Sequence, residues 1–175
     1  MAGVLNLLSG VGAGVLALVF ARSAAHKLTE FSFFSATLSE YRVLPKALVG
    51  PTAIALTIAE AVAIVLMIIP DTRTIGGMLA AGLLALYALA MTLNLRRGRY
   101  RIDCGCGGPG QTISWALVTR NSVLTALAAL VSLNSGSFDT IPAGTLVVFA
   151  GVLLCWLLLA TFDQIIGNRS HAQAM

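Results

Sequence analysis

Apolar residues run through this chain in five long blocks, and most polar residues fall between them. The blocks cover residues 4–21, 47–69, 75–95, 112–134 and 143–162. Each is about 18–23 residues long, and as a helix it spans the roughly 30 Å hydrocarbon core of a bilayer. Glu60 alone interrupts the second block, and Arg120 lies inside the fourth. The apolar stretch after Arg120 is short, so the fourth block reads as a span or as a tilted or re-entrant segment. No basic residue precedes the first block, and Arg22 follows it. A secretory signal has the opposite order, so this block reads as a retained helix.

The links sharpen the pattern. Pro70-Asp71-Thr72-Arg73-Thr74 reads as a tight helix–helix turn, and Gly136 and Pro142 break the polar stretch before the last block. Between Arg22 and Lys46, the residues Leu28, Phe31, Phe34 and Leu38 recur at three- and four-residue spacing. That predicts an amphipathic helix over about residues 27–40, lying at the interface or folded against the bundle. Residues 96–111 form the other long link. The expected fold class is all-α: one integral membrane domain over residues 1–175, with four to five transmembrane helices and one interfacial helix.

Composition agrees and narrows the function. The chain is 58% hydrophobic and 10% charged, against about 25% charged in a soluble domain. Disorder needs the reverse balance. Five spans leave no room for a separate soluble domain. The net charge of +4 sits in a few clusters and gives no reason to invoke nucleic acid. Lys and Arg favour cytoplasmic loops. Arg22, Lys27, Arg42, Lys46, Arg96, Arg97, Arg99, Arg101 and Arg169 fall on one side of a five-span chain, against Arg73 on the other. This predicts an external N-terminus, a cytoplasmic C-terminus, and link 96–111 at the cytoplasmic face.

That link holds the candidate chemistry. Cys104 and Cys106 flank one glycine in a glycine-rich stretch. A disulfide between cysteines so close needs unusual backbone freedom, which glycine supplies. Strained disulfides are easily reduced and tend to be catalytic. Arg99 and Arg101 favour the thiolate, while Asp103 opposes them. A redox-active dithiol, a metal site and a flexible loop with incidental cysteines all fit the spacing. Two thiolates leave a metal shell incomplete, and His26 and His171 are the only histidines. Cys155, among Leu154, Trp156 and Leu157, reads as a small buried residue.

Charges inside the spans are the second signal. A bare carboxylate at mid-membrane costs several kcal/mol, so Glu60 must be neutral, paired or facing a polar cavity. Helix rise puts Arg120 roughly 8 Å away in depth, and a Glu60–Arg120 pair is expected. The functional alternative is a proton or quinone site lined by Glu60, Arg120 and Asn121, with Arg22, His26 and Lys27 joining it or snorkelling to headgroups. A quinone-linked role requires a ubiquinone-sized pocket near Glu60 and Arg120. A metal or small-molecule carrier would use Glu60, Arg120 and His26. Tyr87 reads as a core residue whose hydroxyl needs a partner.

Several stretches together resemble the methylamine utilisation protein MauE family, a branch of the DoxX-like membrane proteins. They are Phe20-Ala21-Arg22-Ser23-Ala24-Ala25-His26-Lys27-Leu28, Tyr41-Arg42-Val43-Leu44-Pro45, Glu60, Tyr87, Asn94-Leu95-Arg96-Arg97-Gly98-Arg99, Asp103-Cys104-Gly105-Cys106 and Arg120-Asn121. Relatives often carry an aromatic residue after the second cysteine, where this chain has Gly107. The resemblance implies a bacterial inner-membrane protein that aids maturation of the periplasmic methylamine dehydrogenase beta (small) subunit. That subunit bears many disulfides and a tryptophan tryptophylquinone cofactor. The implied partner is a thioredoxin-like, MauD-type protein, with Cys104 and Cys106 as an electron relay. A non-redox assembly or transport scaffold is the alternative. The implied periplasmic work conflicts with the cytoplasmic side the arginines predict. A relay across the membrane, an inverted topology, or a loop reached from the far side would each resolve it.

Overall fold

A computed structural model of the chain describes residues 2–105, 111–134 and 142–172. Its helices are α1 (Ala2–Thr29), α2 (Phe31–Glu40), α3 (Lys46–Ile68), α4 (Arg73–Arg96), α5 (Trp115–Leu133) and α6 (Pro142–Ala172). A single 3-10 turn, Pro70–Thr72, joins α3 to α4. α1, α3, α4, α5 and α6 are long and apolar enough to cross a membrane, the fourth block included. The all-α membrane-bundle expectation therefore holds. The short α2 follows α1 and packs on α1 and α3.

The bundle core is small-residue packing around a few large side chains. α4 lies along α5, α3 contacts both α1 and α4, and α6 lies along α1. Leu16, Phe20, Met67, Leu84, Leu124 and Val131 fill the centre, with Ala63, Ala80 and Ala128 between them. Close approach is set by α4: a Cβ on Gly77 would stand 3.0 Å from the Ala128 carbonyl oxygen on α5. Lipid tails offer no hydrophobic drive between helices, so such close backbone contact is what holds a membrane bundle. The outward faces are apolar: Ile58, Val65, Leu89, Val123, Phe149 and Leu158 are all exposed. A soluble protein rarely shows so continuous an apolar surface.

The helices depart from the apolar blocks at their ends. α1 runs on past Arg22 to Thr29, so Lys27 and Leu28 belong to it and the amphipathic helix starts at Phe31. α5 starts at Trp115, capped by the Ser114 side chain, which accepts from the Leu117 N–H at 3.4 Å. α6 continues through Asp163 to Ala172.

Candidate functional site

The cysteine link is anchored at both ends. Gly98 takes φ +74°, the left-handed turn that ends α4. Arg99 then ties two helix ends together: its guanidinium donates to the Glu40 carbonyl of α2 at 3.1 Å and to Asn94 Oδ1 of α4 at 3.5 Å. Residues 102–104 run antiparallel to 111–113, with Asp103 opposite Thr112. Ile113 N–H donates to the Ile102 carbonyl and Cys104 N–H to the Gln111 carbonyl, each at 2.8 Å. Ile102 and Ile113 bury their side chains beside Tyr41, Leu95 and Leu117. Cys104 Sγ donates to Gln111 Oε1 at 3.4 Å, and Tyr41 Oη donates to the Cys104 carbonyl at 3.4 Å. Gly105 has φ +74°, and a Cβ there would sit 3.4 Å from the Phe34 ring. The chain thus turns sharply past Cys104, hard against α2. Cys106 lies outside the described residues.

Beneath this link sits a buried ion cluster. Lys27 of α1 pairs with Glu60 of α3; their side chains are 1% and 0% exposed. The same carboxylate oxygen accepts from Tyr87 Oη of α4 at 2.7 Å and from Ser23 Oγ at 3.1 Å. Lys27 Nζ also donates to Tyr87 Oη at 3.2 Å and lies 4.7 Å from the Phe34 ring centroid of α2. A charge buried this deeply persists only when paired and hydrogen-bonded, and four helices supply the partners. A second cluster follows one turn away on α1. Asp163 of α6 meets Arg120 Nε of α5 at 2.9 Å and Arg22 Nη1 at 3.8 Å, and Arg120 Nη1 donates to Asn121 Oδ1 at 3.3 Å.

The expected Glu60–Arg120 pair does not form. Each group has a nearer counter-ion: Lys27 for Glu60 and Asp163 for Arg120. Depth alone does not choose between counter-ions, and α1, which runs on to Thr29, brings Lys27 beside Glu60. Glu60, Arg120, Asn121 and Arg22 do line one cavity, with Ser23, Tyr87 and Asp163. Its volume is about 30 Å³, above the ~10–15 Å³ that one water needs and far below a ubiquinone-sized pocket. His26 stands outside it, 3.9 Å from Glu30. Among the described residues no group of three His, Cys, Asp or Glu side chains could hold a metal ion. A different cavity, of about 190 Å³, opens between α2, α3 and α4 and has Cys104 in its wall.

Sequence reasoning missed Asp163, Ser23 and Gln111. The signal for Asp163 was Ile165-Ile166 beyond it, which extends the last apolar block past the charge. Gln111 carried no signal, because two isolated positions seven residues apart make no pattern.

Residues 5–134 match the family described as methylamine utilisation protein MauE. The chain belongs to that family. It is 35% identical over 164 residues to the methylamine utilization protein MauE of Paracoccus denitrificans, covering 90% of this chain and 86% of the relative. The Methylorubrum extorquens MauE is 34% identical over 168 residues, 91% of this chain and 87% of the relative. The Paracoccus versutus MauE is 41% identical over 115 residues, 65% and 62% of the two chains. No solved structure matches the chain. With its apolar helices, this MauE-family member is a multi-pass membrane protein of methylamine utilisation. The family match takes in the cysteine link and the whole Lys27–Glu60–Tyr87 cluster, and it stops before α6, which carries Asp163.

Proposed function

We propose that the protein is a thiol–disulfide relay of the bacterial inner membrane that serves maturation of the methylamine dehydrogenase beta (small) subunit. Cys104 and Cys106 form the working dithiol, and a thioredoxin-like, MauD-type protein exchanges with it. The observation that carries this reading is the mounting of Cys104. Its backbone is fixed by Gln111 and Tyr41, its sulfur by the Gln111 side chain, and glycine follows at once in a left-handed turn. A cysteine on a rigid frame at a glycine turn suits repeated making and breaking of a strained disulfide. The many disulfides and the tryptophan tryptophylquinone cofactor of the subunit give such a relay its task.

Cys104→Ser and Cys106→Ser, expressed at wild-type level, each abolish accumulation of mature beta subunit in cells growing on methylamine. Normal maturation in both variants removes the redox role. A non-redox scaffold gives the opposite pattern: both serine variants mature the subunit, while loss of the amphipathic helix α2 does not.

A further inference from the structure

The cavity of about 190 Å³ lies between α2, α3 and α4 and shares Tyr87 with the small polar cavity. Its walls are apolar apart from a few hydroxyls, and three aromatic rings, Phe34, Tyr41 and Tyr87, contribute to them. Flat rings pack against flat rings in preferred offset or edge-on geometry, so these walls suit a planar conjugated ring better than a bent acyl chain. Val43 and Leu86, 49% and 48% exposed, stand at its rim, and α3 and α4 present their apolar faces to the bilayer there. The volume is below the roughly 300–1,000 Å³ that encloses a drug-sized ligand. It fits one substituted six-membered ring whose chain stays in lipid. The wall also carries a thiol-bearing residue, Cys104.

We propose that this cavity holds the ring of a lipid-soluble quinone, which takes the electrons of the cysteine pair. The inference rests on the dithiol reading above. In the step, the S–H bonds of Cys104 and Cys106 break and one S–S bond forms. Two electrons and two protons pass to the ring, whose two carbonyl oxygens become hydroxyls. The dithiol is oxidised and the quinone is reduced to the hydroquinone, with no other reactant. A benzoquinone is a stronger two-electron oxidant than a protein disulfide, so the transfer runs from thiols to ring. This places the quinone away from Glu60 and Arg120, whose shared cavity admits only water. The Lys27–Glu60–Tyr87 cluster then serves as the rigid back wall that keeps the Tyr87 ring in place.

Purified, reduced protein in lipid nanodiscs, mixed with a decyl-tailed benzoquinone, tests the proposal. One hydroquinone forms for each protein molecule as its two loop thiols disappear. Cys104→Ser binds the quinone and reduces none. Leu86→Trp at the rim and Leu56→Trp in the wall, each checked for helical spectrum and Tm, weaken quinone binding at least about tenfold. Unchanged binding in both tryptophan variants, or a wild type that binds no quinone and retains only acyl chains, overturns the site. Thiols that reduce a water-soluble disulfide but not the quinone overturn this proposal and leave the relay standing. Quinone bound in the cavity beside thiols that reduce neither acceptor overturns the relay, and the electron step with it.

Discussion

Lys27 shows what a single residue decides here. It is the last charge of a turn that hydropathy assigns to a loop, yet it is 1% exposed and neutralises Glu60. Removing one partner of a buried pair leaves the other charge uncompensated, at a cost of about 3–5 kcal/mol. Lys27→Met therefore lowers Tm sharply in detergent, and the double variant Lys27→Met/Glu60→Leu regains most of the loss. Equal Tm loss in single and double variants would show that the pair is not the source. The need for a partner at Glu60 was legible in the sequence. The identity of the partner was not, because an apolar count ends a helix at its first charge, whereas α1 ends about half a turn past the buried lysine. Asp163 behaves differently. Arg22 is 44% exposed and Arg120 also donates to Asn121, so loss of the carboxylate leaves neither guanidinium as isolated as Glu60 would be. Asp163→Asn should lower Tm less than Lys27→Met does, in the same detergent.

At the scale of elements, apolar blocks predict spans well because the bilayer allows only helices with every backbone group satisfied. They predict element ends poorly, since ends are set by local bonds such as the Ser114 cap and the Gly98 turn. The short antiparallel pairing of 102–104 with 111–113 was invisible for the same reason: two or three residues carry no period. Glycines on α4 show how packing separates residues that look alike in sequence. A Cβ on Gly76 would lie 2.7 Å from the Met67 backbone nitrogen, while one on Gly82 meets nothing within 4 Å. Gly76→Ala is expected to destabilise by about 1–3 kcal/mol through overpacking. Gly82→Ala gains up to about 1 kcal/mol of helix propensity. Opposite shifts of Tm check the pair; shifts of the same sign would mean that the α3–α4 contact is looser than it stands.

The whole molecule has an odd number of spans, and its polarity follows. Ser9 near the start of α1 donates to the Asn134 carbonyl at the end of α5, at 2.8 Å. At the opposite end, α2, the cysteine link and the last turns of α1 gather with Asp163 of α6. The N-terminus and the cysteine link thus belong to opposite faces, and the C-terminal end of α6 belongs with the link. The basic positions left at the cysteine-end links and their flanking helix ends are Arg42, Lys46, Arg96, Arg97, Arg99 and Arg101, since Lys27 and Arg22 face acids of α3 and α6. Arg73, their only opposite number, is buried and donates to the Met67 carbonyl. The positive-inside bias therefore rests on these links and helix ends, and it points the link to the cytoplasm. Direct docking of a periplasmic partner needs the outer face. Terminal reporter fusions combined with an impermeant thiol reagent, in a Cys155→Ala background, read both questions together. The face that labels Cys104 should also hold the C-terminal reporter, with the N-terminal reporter on the other. Labelling only after permeabilisation would fit the proposed relay as one that carries electrons across the bilayer, and labelling of intact cells would fit one that docks its partner directly. A C-terminal reporter on the face away from Cys104 would mean that α5 or α6 does not cross, and the five-span bundle would have to be redrawn.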